Sequence, residues 1–143
     1  MKNILITLLI LLMAVPAFAA GIGYIDYNKV AENFYYAKTT TRELDEKAKV
    51  IDAFIAKKEE EFQTIESPVQ RKKFEEDVRA EITKREVAFD NFKSKREETV
   101  NSKIREGIEQ IRLEKNLDAV ISADSVYSGG IDITDEVIEF LNK

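Results

Sequence analysis

Ile65-Glu66-Ser67-Pro68-Val69 decides how this 143-residue chain is read, because it holds the only proline beyond the first twenty residues. Proline pushes the residue before it out of the helical region, yet suits the first turn of a helix that it begins. The stretch therefore predicts a turn near residues 66–69 between two helices. On its N-terminal side Leu44, Ala48, Ile51, Ile55, Phe62 and Ile65 recur at alternating spacings of four and three, with Lys58 at the one vacant position. That is a heptad seam of about three repeats. On its C-terminal side Val78, Phe89, Val100 and Ile111 recur every eleven residues, with Ile82, Phe92, Ile104 and Ile108 close to the same stripe and Arg85 and Arg96 interrupting it. Eleven residues correspond to about 3.67 per turn, so this arm should run nearly straight.

Between Thr41 and Lys115 the chain has 18 basic and 19 acidic residues, one proline and one glycine. A segment so densely and evenly charged forms solvated helices, and an arm from about Val69 to Lys115 would extend roughly 70 Å. Two helices can bury one stripe against each other but leave the rest wet, so a hairpin of this length needs a base or partner subunits.

The ends of the chain look like that base. Ile22-Gly23-Tyr24-Ile25 and Leu117-Asp118-Ala119-Val120-Ile121-Ser122 read as short strands, and Ser125-Val126-Tyr127 before Gly129-Gly130 as a third. Thr134 is the expected N-cap of a last helix. Asp135 and Glu136 favour its positive end, and Val137, Ile138 and Leu141 form its buried stripe. The fold class is thus α+β, with residues 20–40 plus 116–143 forming an oligomerisation body and residues 41–115 inserted as a helical hairpin. About 50 residues in short strands make too small a core to stand alone, and association through the sheet would cover its edges. The body residues expected to build it are Ile22, Tyr24, Ile25, Val30, Leu117, Ala119, Val120, Ile121, Val126 and Ile133.

Residues 1–19 read as a cleaved signal peptide. Lys2 precedes an apolar run from Ile4 to Val15 broken only by Thr7, Pro16 ends it, and Ala17-Phe18-Ala19 gives the small-x-small cleavage pattern. Without them the chain has 21 basic and 27 acidic residues, six of the acids and only one Lys lying between Asn116 and Lys143.

The chain has no cysteine and no histidine. This excludes a disulfide scaffold, a Cys or Cys/His zinc site, and imidazole or thiolate chemistry. Asp26, Asp124, Asp132 and Asp135 form no calcium-loop pattern and sit where turns and helix starts account for them. No catalytic, cofactor-binding or metal-binding residues are expected, and no enzymatic activity. An exported, net-acidic chain without a basic-aromatic platform is not expected to bind nucleic acid.

Ile22-Gly23-Tyr24-Ile25-Asp26-Tyr27-Asn28-Lys29-Val30, the charged hairpin, Leu117-Asp118-Ala119-Val120-Ile121, and Tyr127 followed by Gly-Gly and Asp132-Ile133-Thr134-Asp135-Glu136-Val137-Ile138 together resemble the Skp/OmpH family of periplasmic chaperones. The resemblance spans the chain beyond the signal. It implies a homotrimer with a small β-barrel body, from which three coiled-coil hairpins project around a cavity that holds unfolded outer-membrane proteins, without ATP. Phe54, Phe62, Phe74, Phe89 and Phe92 are the candidates for client contact; the alternative for the stripe residues Phe62, Phe89 and Phe92 is packing of one arm on the other. Arg71-Lys72-Lys73 forms a basic cluster beside the turn. From Arg71 to Arg105, however, 11 basic face 8 acidic residues, an excess too mild to argue more than weak contact with an anionic membrane or lipopolysaccharide. A different reading of the same hairpin is an envelope adaptor whose tip docks on one folded partner.

Overall fold

The computed structural model describes residues 21–143; the signal-peptide reading of residues 1–19 lies outside them. The order is β1 (Ile22–Ile25), α1 (Tyr27–Asn33), α2 (Tyr35–Gln63), α3 (Pro68–Glu114), β2 (Ala119–Ser122), β3 (Ile131–Asp132) and α4 (Thr134–Leu141), with a single 3-10 turn at Ala123–Ser125.

Each long helix starts and stops for a local reason. Pro68 occupies the first turn of α3 behind an extended Ser67. The Thr64 hydroxyl donates to the Glu61 carbonyl at 2.7 Å where α2 ends. Arg71 Nε closes the turn from the other side by donating to the Ile65 carbonyl at 2.6 Å. At its far end α3 stops in a Schellman arrangement. Asn116 takes a left-handed φ of 53°, its N–H bonds the Leu113 carbonyl at 3.1 Å, and the Leu117 N–H bonds the Arg112 carbonyl at 2.9 Å. Asparagine tolerates that conformation, and the apolar residue after it packs inward, as Leu117 does at 2% exposure.

That turn feeds β2 directly into a three-stranded sheet of order β2-β1-β3. Both pairings are parallel, Ile22 opposite Ala119 and Tyr24 opposite Ile121 on one side, Gly23 opposite Ile131 and Tyr24 opposite Asp132 on the other. A parallel pair needs a crossover, and here the crossover from β1 to β2 is the whole of α1, α2 and α3. A Cβ at Gly23 would lie 2.7 Å from Leu117 Cδ1, so any larger residue there requires the buried Leu117 side chain to shift.

The buried core is formed by Ile25, Val30 and Phe34 from the first elements, Ile104 and Ile111 from α3, and Leu117, Ile133 and Val137. Thus the last third of α3 is also the spine of the body, and α2 starts at Tyr35, inside the segment read as body.

Two expectations about the C-terminal segment change. Ser125-Val126-Tyr127 forms no strand; the third strand is the shorter Ile131–Asp132, because a 3-10 turn at Ala123–Ser125 turns the chain out of extended conformation before Val126. Thr134 is the first residue of α4, and its side chain makes no cap bond to that helix. Its hydroxyl accepts the Asp26 N–H at 3.0 Å and donates to Asp132 Oδ1 at 2.5 Å, so it ties the end of β1 to the start of α4.

Candidate functional site

The face that α2 and α3 turn toward each other is the part of the chain that the body does not consume. Helical periodicity puts Leu44, Ala48, Ile51, Ile55, Lys58, Phe62 and Ile65 on one side of α2, and all seven are half-buried. On α3, Val78, Ile82, Phe89, Phe92 and Val100 are half-buried as well. Nevertheless, among the described residues from Thr41 to Lys103 not one is fully buried. The two helices lie against each other without enclosing a dry interior.

Cations over aromatic rings take the place of that interior. The Arg85 guanidinium lies 4.1 Å from the Phe54 ring and pairs with Glu81 at 2.9 Å. Arg96 lies 5.1 Å from the Phe92 ring, donates to the Tyr36 hydroxyl oxygen at 3.1 Å and pairs with Glu43 on the other helix at 2.9 Å. Lys47 approaches Phe92 from the opposite arm at 4.6 Å. Lys58, the residue that interrupts the heptad seam, sits 5.7 Å from both Phe54 and Phe74 and bonds Glu61 at 2.6 Å. This bond holds the Glu61 carboxyl below the usual glutamate range. The fit is incomplete: the Nε atoms of Arg85 and Arg96 are both buried without a hydrogen-bond partner.

Close to the turn the helices part into a groove of about 490 Å³, lined by Ile55, Lys58, Phe62, Phe74, Val78 and Ile82 among others. Phe62 and Phe74 meet across it with ring centres 6.3 Å apart. The structure therefore places all five candidate phenylalanines half-buried on the facing arms. It also engages Phe54 and Phe74, the two candidates outside the stripes: Phe54 is covered by Arg85, and Phe74 pairs with Phe62. Of the basic cluster, Arg71 is spoken for by the Ile65 carbonyl and by the Phe62 ring at 5.2 Å, whereas Lys72 and Lys73 are exposed. Arg85, Arg96 and Tyr36 were not among the candidates. The signal for the two arginines was present, since each breaks an apolar stripe at a position where a solvent-facing role does not fit the helical period.

In the body, Ile25, Val30, Leu117 and Ile133 close the core. Tyr24, Val120 and Val126 are half-buried, and Ile22, Ala119 and Ile121 are exposed. Strand alternation and the parallel register explain the split, because Ile22, Tyr24, Ala119 and Ile121 share the sheet face opposite to Gly23 and Ile25. Among the described residues nothing covers that second, apolar face, with Ile22 at 51% and Ile121 at 39% exposure. No described helix is long and apolar enough to cross a membrane.

A sheet joined from both chain ends, with a long helical pair inserted between its strands, defines the class: an α+β protein built around a projecting arm. Within it, residues 21–141 match the model of the family described as outer membrane protein (OmpH-like). The chain belongs to the OmpH-like family, and the resemblance carried by its two end motifs is borne out over that span. Among solved structures, it is similar to an OmpH-like chain from Caulobacter crescentus CB15 proposed to be an outer membrane chaperone. The identity is 14% and the TM-score 0.41, over 89% of this chain and 86% of that one. No curated protein matches the chain.

Proposed function

We propose that this protein is an ATP-independent periplasmic chaperone of the holdase type, which keeps unfolded outer-membrane proteins from aggregating in a space bounded by its helical pairs. The observation that carries the reading is the arm from Thr41 to Lys103, in which apolar and cationic side chains share one face and no described residue is fully buried. A surface that must hold many unfolded sequences weakly needs mixed chemistry and easy repacking in preference to one deep pocket. The half-buried phenylalanines serve both ends of that requirement: they pair the arms when empty and offer ring faces to a client when the helices part. Membership of the OmpH-like family supports the same reading and its periplasmic setting.

The assembly is a homotrimer joined through the body, each helical pair wound as a coiled coil. Support comes from the apolar sheet face of Ile22, Tyr24, Ala119 and Ile121 and from the outer edges of β2 and β3, which no described residue covers or pairs with. Sedimentation should show a trimer at micromolar concentration; a folded monomer there would remove the cavity. The role requires no catalytic residue, metal or cofactor, and involves no nucleic acid.

The decisive experiment dilutes a urea-unfolded outer-membrane protein into buffer with the protein lacking residues 1–19. Light scattering should fall to near background at a small molar excess of trimer, and unchanged aggregation at several-fold excess overturns the proposal. Deleting residues 62–76 separates this reading from tip docking, for which the groove beside Phe62 and Phe74 offers a foothold. A cavity retains part of its binding after the deletion, whereas a tip that docks on a folded partner loses all of it. Weak contact of Lys72 and Lys73 with an anionic membrane or lipopolysaccharide is a minor addition, and salt should abolish it.

A further inference from the structure

Ile104 and Ile111 fix α3 in the body core, whereas α2 has only Thr40 fully buried and leans on that core through Tyr36 and Ala37 at its root, so the direction in which α2 leaves the body is set by few residues. The break between α1 and α2 falls at Phe34, whose backbone is extended (φ −80°, ψ 116°) and whose side chain cannot cap a helix. The first N–H of α2, on Tyr35, is therefore left without an acceptor from its own helix. Asn142 Oδ1, from the turn that ends α4, accepts it at 2.8 Å. Asn142 Nδ2 donates to the Asn33 carbonyl, the last of α1, at 2.9 Å, and to the Ile138 carbonyl of its own helix at 3.0 Å. Both amide hydrogens and the oxygen are thus in use, and one side chain joins the end of α1, the start of α2 and the end of α4.

The same turn of α4 also grips the other arm. Gly107 is buried in α3, and a Cβ on it would meet Leu141 Cδ2 at 3.0 Å and Phe140 Cδ1 at 3.3 Å. The glycine lets α4 sit directly on the α3 backbone.

We propose that the last turn of α4 is the clamp that sets the angle between arms and body, with Asn142 as the positioning residue for α2. It acts through the backbone at the Phe34 break and touches no client. Loosening it lets α2 pivot at its root while the core stays packed, so the width of the space between arms becomes less defined.

The chain lacks cysteine, so spin labels placed at Glu60→Cys on the arm and Asp124→Cys on the body, in assemblies diluted with unlabelled subunits, report the angle without client. Asn142→Ala should broaden the arm-to-body distance distribution and speed amide exchange at Tyr35 roughly tenfold, while the Ile133 and Val137 amides stay as protected as before. Asn142→Asp keeps an acceptor for the Tyr35 N–H but loses both donors, and should restore Tyr35 protection with an intermediate width. The proposal is overturned if Asn142→Ala leaves width and Tyr35 exchange unchanged, or if broadening comes only with loss of protection at Ile133 and Val137, which marks a general loss of stability. Because the readout contains no client, its failure is distinct from failure of the holdase reading.

Discussion

The two ends of α3 live in different environments. Near the body, Ile104 is completely buried and Ile111 nearly so; toward the turn, Val78 and Ile82 stay half-exposed beside Arg85. One helix of 47 residues thus serves as core spine at one end and as a wet strut at the other. The body is held by removal of apolar surface from water, about 25 cal/mol per Å². The arm is held by cation–ring contacts of about 0.5–1 kcal/mol each at exposed sites and by ion pairs worth less. The difference teaches where the molecule is rigid and where it can yield.

The sharpest way to break that contrast is a matched pair of truncations. Ile104→Ala opens a cavity in the body and should cost about 2–5 kcal/mol. Ile55→Ala on the arm removes a half-buried side chain and should cost on the order of 1 kcal/mol. Urea unfolding of the assembled protein measures both, and equal losses would mean that the arm is as solidly packed as the body. Next in size is Gly23→Ala. Its Cβ would press on Leu117 at 2.7 Å within a closed core, so a loss of about 1–3 kcal/mol is expected, with the helix content of the arm unaffected by circular dichroism.

A fourth variant should move stability the other way. Arg85 gains from the Phe54 ring and Glu81, yet its Nε is buried without a partner, a cost of about 1–3 kcal/mol for such a group. Arg85→Met keeps a polarizable contact with Phe54 and removes the orphaned donor. It should stabilise the arm by about 0.5–1 kcal/mol, raising the melting midpoint while lowering protection of an unfolded client. A gain in stability with full chaperone activity would separate the arm's chemistry from its function.

What could be read from the sequence follows the distance over which each feature is determined. Pro68 and the seam from Leu44 to Ile65 act within a few residues, and β1 at Ile22–Ile25 is bounded by its own neighbours. These were legible. The role of Thr134 was not, because its acceptor function is set by Asp26, 108 positions away; sequence proximity to Asp135 and Glu136 made a local cap the natural reading. The third strand is two residues long, too short to show alternation. Nothing in its neighbours marks Asn116 as left-handed, though that conformation is what directs α3 into β2. For the site, the phenylalanines were visible by type and spacing. What escaped was that Arg85 and Arg96 lie over them, since period alone separates facing from exposed positions and does not show that a cation can occupy a facing one.

The smallest expected effect concerns pH and tests whether the body also has a polar seal. The Thr134 hydroxyl and then the Thr134 backbone N–H, both donating to Asp132, hold its carboxyl below the usual range. The Lys115 ammonium at 2.7 Å does the same for Glu136. At the other extreme, Asp135 at 2.7 Å raises the Lys29 amine above its ordinary value. A carboxylate whose folded value is depressed contributes stability that is fully present above its ordinary value, about 3.9 for Asp, and is lost as pH falls through the folded value. A raised lysine contributes below its ordinary value, about 10.4, and loses it as pH rises through the folded one. Protection of the Ile133 amide, which bonds the Tyr24 carbonyl at 3.0 Å, should therefore be level between about pH 5 and pH 9 and decline outside that window. Asp132→Asn retains an oxygen for both Thr134 donors but has no proton to take up, so the acid decline at Ile133 should become shallower, while the alkaline side, set mainly by Asp135 on Lys29 and only in small part by Asp132, moves little. An acid limb identical to that of the native chain would place the sensitivity in Glu136 of the body or Glu61 of the arm, and only persistence of that limb in Glu136→Gln would shift the weak point of the molecule from its body to its strut.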